Sequence, residues 1–382
     1  MRSLYWLQPS HIREDWIFFV RTLMPLSAPV DKFFRVWYAE RMAKSARNKT
    51  IDFSEQEGAK YLSQCVSVSA PVSADAVTDK IICGDSFSVL PNLPRAFADL
   101  IIADPPYNLQ KTYGTTVFGE QSKDEYKAYT KHWLELTLPL LKQNGSLYIC
   151  CDWKTSISIA DVLNDYEANG ALCIRNRITW EREKGRGAQK NWKNCLEDIW
   201  FCTTGSNYTF NLDAVKLRRR VVAPYKQDGK PKDWLESENG NFRDTCPSNF
   251  WGDISIPFWS MAENTAHPTQ KSEKLLAKLI LASSNTDDLV FDPFLGSGST
   301  AVTAKKLGRH WCGVEQEKRY CAWATYRLAQ ADSDKTIQGY EGGIFYERNA
   351  MQNTSTATNS RKKRSPVIGR PDGQSTHPEA TD

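Results

Sequence analysis

Hydrophobic and polar positions follow two rhythms along this chain, and the switches between them mark out its elements. Short apolar runs closed by Gly, Pro or Asp read as buried strands. They are Ile81-Ile82-Cys83 before Gly84-Asp85, Leu100-Ile101-Ile102-Ala103 before Asp104-Pro105, and Leu147 to Cys151 after Asn144-Gly145. Further strands are predicted at 172–180, at 196–203, at Leu289-Val290-Phe291 and at His310–Val314. A helical rhythm runs between them. Tyr126, Tyr129, Trp133, Leu136, Leu140 and Leu141 predict a helix over 124–142 that Asn144-Gly145 ends. Ile157–Leu163 predicts another. Leu275, Leu276, Leu279 and Ile280 predict a third, with Thr269 in N-cap position and Glu273 completing the cap. Strands alternating with helices predict an α/β fold, doubly wound, with a parallel or mixed sheet covered by helices.

Other stretches lack either rhythm. Residues 1–41 are aromatic-rich but aperiodic, without the pattern of a transit or signal peptide. They read as an extension outside the fold, and Met42 opens a stretch that resembles an ordinary polar amino terminus. Residues 66–79, rich in Ser, Ala, Val and Asp, read as a linker. We therefore expect 1–79 to stand apart from a catalytic domain over 80–335. Residues 108–123 read as a mobile loop that could close over a ligand. From 212 to 262 periodicity fades, and the stretch reads as an irregular insertion. Residues 351–382 are polar, with Arg361-Lys362-Lys363-Arg364, and read as a disordered basic tail.

Composition narrows the class. With 382 residues and 41% hydrophobic positions the chain can bury a large core, and a net charge of +4 permits an acidic partner without requiring one. Ten Cys residues occur with no C-x-x-C pair, which argues for small buried thiols in a reducing cytosol and against a zinc or redox motif. No run is long enough to span a membrane.

Three constellations carry candidate chemistry. In Asp104-Pro105-Pro106-Tyr107 the prolines stop a strand, and Pro105 holds Asp104 extended. That presents a carboxylate and a ring at the edge of the sheet where ligands bind. Alone, the turn is equally an ordinary strand exit. Phe291-Asp292-Pro293-Phe294-Leu295-Gly296-Ser297-Gly298-Ser299-Thr300 is a strand, a glycine turn and a helix start. It lacks the Gly-Lys-Ser/Thr ending of a nucleotide P-loop, and Ala301 breaks the G-x-G-x-x-G spacing. The strand after it ends at Glu315, placed to hold ribose hydroxyls. Asp85 can accept from a ligand's amino group or cap the helix at Ser86. His267-Pro268-Thr269-Gln270-Lys271 is the third constellation, in which His267 alone reads as a structural hydrogen-bonder.

Together these residues resemble the β group of amino-DNA methyltransferases, which use S-adenosylmethionine. The likeness rests on Asp104 to Tyr107 for the catalytic turn, Phe291 to Thr300 for the cofactor loop and His267 to Lys271 before it, in that order, across residues 80–330. One departure is Ser272, where relatives usually carry Pro. The resemblance implies a mostly parallel seven-stranded sheet with a target-recognition region at 205–262. It implies a catalytic turn of Asp104, Pro105, Pro106 and Tyr107. It also implies cofactor contacts from Asp85, His267, Lys271, Asp292, Phe294, Gly296, Ser297, Gly298 and Glu315. It implies double-stranded DNA as substrate, adenine as the favoured target with cytosine-N4 as the alternative, dimers in many relatives, and a cytoplasmic enzyme that can accompany a restriction enzyme. No metal is implied. A target base must leave the duplex to be reached. Tyr107 would stack on it, while Asp104 and the Pro105 carbonyl accept from its amino group. Ring-carbon methylation would need a Pro-Cys nucleophile, and no Pro-Cys dipeptide occurs. Given this context, Lys184, Arg186, Arg218, Arg219, Arg220 and Lys226 become candidate DNA contacts, set against a merely solvated surface. A catalytically silent DNA-binding module, or a methylase acting on protein or RNA, is the reading from another class.

Overall fold

The computed structural model describes residues 45–113, 116–182, 189–221, 226–237 and 240–347. Two helices, α1 (Glu55–Leu62) and α2 (Ala74–Val77), precede the first strand. Then come β1 (Lys80–Cys83), α3 (Ser86–Val89), β2 (Ala98–Ala103), the hairpin β3 (Lys111–Tyr113) and β4 (Thr116–Phe118), and α4 (Lys123–Thr137). They are followed by β5 (Leu141–Asp152), α5 (Trp153–Ala168), β6 (Cys173–Glu181) and β7 (Leu196–Thr203). Six short strands come next: β8 (Leu217–Arg220), β9 (Lys226–Gln227), β10 (Lys230–Pro231), β11 (Leu235–Ser237), β12 (Gly240–Thr245) and β13 (Phe250–Trp251). The chain returns through α6 (Glu273–Ser283), β14 (Leu289–Asp292), α7 (Ser299–Lys306), β15 (His310–Glu315) and α8 (Lys318–Gln330), and closes on β16 (Tyr340–Glu341) and β17 (Ile344–Tyr346).

The central sheet runs β1-β15-β14-β2-β5-β7-β6-β13. From β1 to β5 every neighbour is parallel, and β7 runs antiparallel to both β5 and β6. The expected seven strands are joined by a two-residue eighth, β13, parallel to β6 at the edge. Alternation along β2 sorts its side chains to two cores. Ile101 and Ala103 face Trp133 of α4 and Ile159 of α5, and Leu100 and Ile102 face Leu275 and Leu279 of α6. Helices thus cover both faces, as a doubly wound sheet requires. No helix among the described residues is long and apolar enough to cross a membrane.

The structure departs from the sequence reading in five places. Residues 45–79 join the fold: Phe53 and Tyr61 pack on Tyr326 of α8 at ring distances of 5.9 and 5.3 Å, and Val66 bridges to Ile82. The expectation for 1–41 lies outside the described residues, as does that for 351–382. Helix α4 stops at Thr137, because Pro139 follows in a 3₁₀ turn, and not at Asn144-Gly145. Asn144, at φ 65°, sits in a register shift of β5 instead. The expected loop at 108–123 contains the β3–β4 hairpin, whose base is tied by Asn108 to the backbone of Gln121 at 2.8 and 2.7 Å. The cap of α6 is Ser272, whose hydroxyl accepts from the Leu275 amide, so the helix starts three residues after Thr269. Finally, 212–262 is irregular only in part: β8, β12 and β11 join β17 and β16 in a second sheet, two of whose five strands come from beyond residue 335, while 252–262 carries no regular element.

Candidate active site

Because β1, β15, β14 and β2 are parallel neighbours, their carboxyl ends share one edge. Phe291 lies opposite Ile101, so the chain leaves β14 at Asp292 beside the strand that leaves at Asp104. A cavity of about 320 Å³ opens there. Its walls include Asp85, Asp104 to Tyr107, His267, Lys271, Asp292, Phe294, Gly296, Ser297 and Glu315. Of the residues expected around the catalytic turn and cofactor, only Gly298 does not line it.

At the catalytic turn the Asp104 carboxylate is gripped by Lys271, whose ammonium donates to both oxygens at 2.8 and 2.7 Å. The Tyr107 hydroxyl accepts from Lys271 at 3.0 Å and lies 3.0 Å from Asp104 and 3.2 Å from Glu197. Burial, with Asp104 and Glu197 nearby, pushes the Tyr107 phenol well above its ordinary range, so it stays protonated and donates. Burial works against the charge on Lys271, but the Asp104 and Glu197 carboxylates outweigh it and hold the ammonium charged. Lys271 thus lines the cavity with its ammonium on the Asp104 side. Glu197 arrives at this edge because β7 is antiparallel to β5, with Glu197 opposite Asp152. Arg182 binds its other oxygen at 2.6 Å.

The glycine bend forms the opposite wall. Asp292 accepts from the Phe294 amide at 2.9 Å and the Thr300 hydroxyl at 2.6 Å. Glu315 accepts from the amides of Gly296 at 2.8 Å and Glu317 at 2.7 Å. Burial pushes both carboxyls up to about 7 against these hydrogen bonds. Gly296 and Gly298 have φ 56° and 83°, the left-handed region, and a Cβ on Gly298 would stand 2.5 Å from the Cβ of Ala324. Gly298 thus packs the bend onto α8 and turns away from the cavity. His267 is held neutral, its pKa lowered to about 3 by burial and then by Lys271, and its Nδ1 accepts from the Thr269 amide at 3.3 Å. Asp85 caps α3, accepting from the Ser88 amide at 3.0 Å, while it lines the cavity.

Motif reading missed Glu197, Arg182 and Arg327, which stand in no recognisable pattern. The only trace of Glu197 was an acidic pair, Glu197-Asp198, at the start of the strand Leu196–Thr203. Among the cations expected to meet DNA, Lys184 and Arg186 lie outside the described residues. Arg218 is spent in a two-pronged pair with Asp244 at 2.7 Å on both arms, whereas Arg219 and Arg220 are more open on the second sheet, and Lys226 lies over the Trp234 ring.

Fold and site describe an α/β transferase type in which an acid-proline turn and a glycine bend share one cavity. A family model described as DNA methylase, of the N6/N4 type, matches residues 98–326. The chain is 34% identical over 263 residues to the Type II methyltransferase M.HpaI of Haemophilus parainfluenzae, covering 69% of this chain and 76% of that one. It is 30% identical over 265 residues to the Type II methyltransferase M1.MboII of Moraxella bovis, covering 66% and 98%. Among solved structures, PvuII DNA methyltransferase (cytosine-N4-specific) aligns with a TM-score of 0.50 at 18% identity, covering 66% of this chain and 90% of that one, a likeness of fold. The chain belongs to the N6/N4 DNA methylase family, and it is a DNA methyltransferase.

Proposed function

We propose that this enzyme moves a methyl group from S-adenosylmethionine to the N6 amino group of adenine in double-stranded DNA, at one recognition sequence. The observation that carries this reading is the meeting of Asp104-Pro105-Pro106-Tyr107 and the Asp292–Gly298 bend on one cavity. The cavity suits a cationic cofactor. Asp292 and Glu315 are buried there with pKa values near 7, and a positive ligand would relieve both. Asp292, Glu315, Phe294 and the Gly296 backbone would hold it, with Asp85 at the rim. Bound S-adenosylmethionine supplies an activated methyl group on a sulfonium.

The chain's own residues do the rest. The lone pair of an exocyclic amine is delocalised into its ring, so the amine is a poor nucleophile. Asp104 and the Pro105 carbonyl accept from it, draw the nitrogen toward a tetrahedral geometry and fix its direction. The Asp104 charge also stabilises the positive charge that develops on that nitrogen. Tyr107, pinned at its hydroxyl by Lys271, offers its ring to the extruded base. An aspartate at the head of the turn favours adenine, since that residue is the commoner one among adenine-modifying members and serine among cytosine-modifying ones.

Residues 205–262, which supply three strands of the second sheet, act as the target-recognition region. Arg219, Arg220 and Lys226 supply phosphate contacts. The enzyme works on cytoplasmic DNA and can accompany a restriction enzyme, with no contact between the two implied. Single-molecule sequencing of DNA from a methylation-free host expressing the protein tests the assignment. We expect N6-methyladenine at one recurring sequence. N4-methylcytosine there would transfer the role to cytosine, and unmarked DNA would end the reading.

A further inference from the structure

Both oxygens of Asp104 already accept from the protein itself. Lys271 donates to both of its oxygens, at 2.8 and 2.7 Å, and the Tyr107 hydroxyl lies 3.0 Å from one of them. An amino group that is to be aligned by Oδ1, which already holds both Lys271 and Tyr107, needs one of their positions, so a donor must let go of that oxygen. Releasing the Lys271 ammonium into a buried site without another partner would be costly, because it is only 8% exposed.

A second partner stands ready. Glu197, 5% exposed, places Oε2 3.4 Å from the Lys271 ammonium and 3.2 Å from the Tyr107 hydroxyl. Its other oxygen, Oε1, is anchored by Arg182 at 2.6 Å. One oxygen of Glu197 is therefore fixed to the scaffold, and the other is turned toward both groups that occupy Asp104. Asp104, Lys271, Glu197 and Arg182 form a chain of alternating carboxylates and cations, and its charge is the same whichever carboxylate Lys271 prefers.

We propose that Glu197 is a positioning residue of the methyl transfer: when the target base docks, Lys271 and Tyr107 shift their hydrogen bonds from Asp104 to Glu197 Oε2, freeing an Asp104 oxygen for the amino group. The empty enzyme keeps its catalytic carboxylate paired, and the substrate's own donor replaces the lysine. No bond is made or broken in this exchange; only hydrogen-bond partners change. The inference rests on Asp104 accepting the amino group, as proposed above.

The test is E197Q, which keeps the shape and the anchor but removes the charge that would receive Lys271. Single-turnover transfer of tritiated methyl from S-adenosylmethionine to unmethylated genomic DNA is measured beside cofactor Kd and DNA Kd. We expect the transfer rate to fall on the order of 10- to 100-fold, the scale of a lost positioning contact, with both Kd values nearly unchanged. E197D, which restores the charge on a shorter arm, should recover part of the rate. Should E197Q not fold, E197Q/R182Q removes one charge of each sign and carries the same expectation. A wild-type rate in E197Q, or a loss matched by equal loss of cofactor or DNA binding, overturns the inference and leaves a structural role for Glu197. Absence of label from the wild-type reaction would instead overturn the function on which it rests.

Discussion

Replacing Arg327 with Met should loosen the glycine bend from behind. Arg327 is 3% exposed on α8, and its guanidinium donates to the Ser297 carbonyl at 2.7 Å, the Ser299 hydroxyl at 3.0 Å and Glu273 at 3.0 Å. Methionine fills much of the space but leaves a buried carbonyl without its donor and a buried carboxylate short of one cation. Removing one side of a buried ion pair costs about 3–5 kcal/mol. Glu273 keeps Lys306 at 2.7 Å, which places the loss toward the lower figure. With unfolding entropy of about 2.1 cal/mol/K per residue, the fold over 45–347 changes by roughly 0.6 kcal/mol per degree. The melting temperature should therefore drop by about 5–8 °C, read by circular dichroism without cofactor. Cofactor affinity, read by calorimetry, should weaken by about tenfold, equivalent to 1.4 kcal/mol, because Ser297 lies in the cavity wall. R327K keeps the charge but not the fork and should fall between. A melting shift under about 2 °C in R327M, with normal cofactor binding, would refute the claim that α8 holds the bend.

Cofactor binding should tighten between pH 6 and pH 8. A carboxyl near 7, as at Asp292 and Glu315, goes from about one-tenth to nine-tenths ionised over that interval, about tenfold in affinity for each group that must be charged. D292N should flatten the titration, and a wild-type Kd independent of pH would contradict it. For the same reason Asp292 and Glu315 should each contribute a loss of stability as pH rises from the ordinary carboxylate range to about 7, opposed by His267, which stays neutral while the unfolded chain would bind a proton; the difference between wild-type and D292N thermal melts at graded pH isolates the Asp292 part. G298A meets both a left-handed backbone and Ala324 at 2.5 Å, so a loss of about 2–4 kcal/mol in denaturant melts is expected. R219A/R220A should weaken DNA binding and reduce the slope of log K against log salt by about 2, while R218A, removing an arginine already bound to Asp244, should change that slope less. Fluorescence anisotropy at several salt concentrations separates the two.

The parts of this molecule legible in its sequence are those built from local rules. Strands β2, β14 and β15 are buried on both faces and read as short apolar runs, and β2 and β14 run into prolines that cannot continue a sheet. Their loops carry the site, so the cavity could be anticipated residue by residue. Long-range partners were not legible. Glu197 reaches Asp104 only because β7 runs backward in an otherwise parallel sheet, and nothing within its own strand announces that direction. The second sheet escaped notice because its strands are two to six residues long, lack an alternating pattern, as in Leu217-Arg218-Arg219-Arg220, and draw their last members from a stretch more than a hundred residues beyond β8. Helix α6 was displaced by three residues because Thr269 and Ser272 cap equally well by residue type, and only the structure shows whose hydroxyl meets an amide.

The most direct measurement of the central claim pairs the wild-type enzyme with D104A. Both are incubated with unmethylated genomic DNA and tritiated S-adenosylmethionine, the DNA is digested to nucleosides, and the labelled nucleoside is identified by chromatography. The account predicts label in N6-methyladenine from the wild type and none from D104A, with D104A still binding cofactor and DNA. Equal label from D104A, or label on a ring carbon of cytosine, would contradict it.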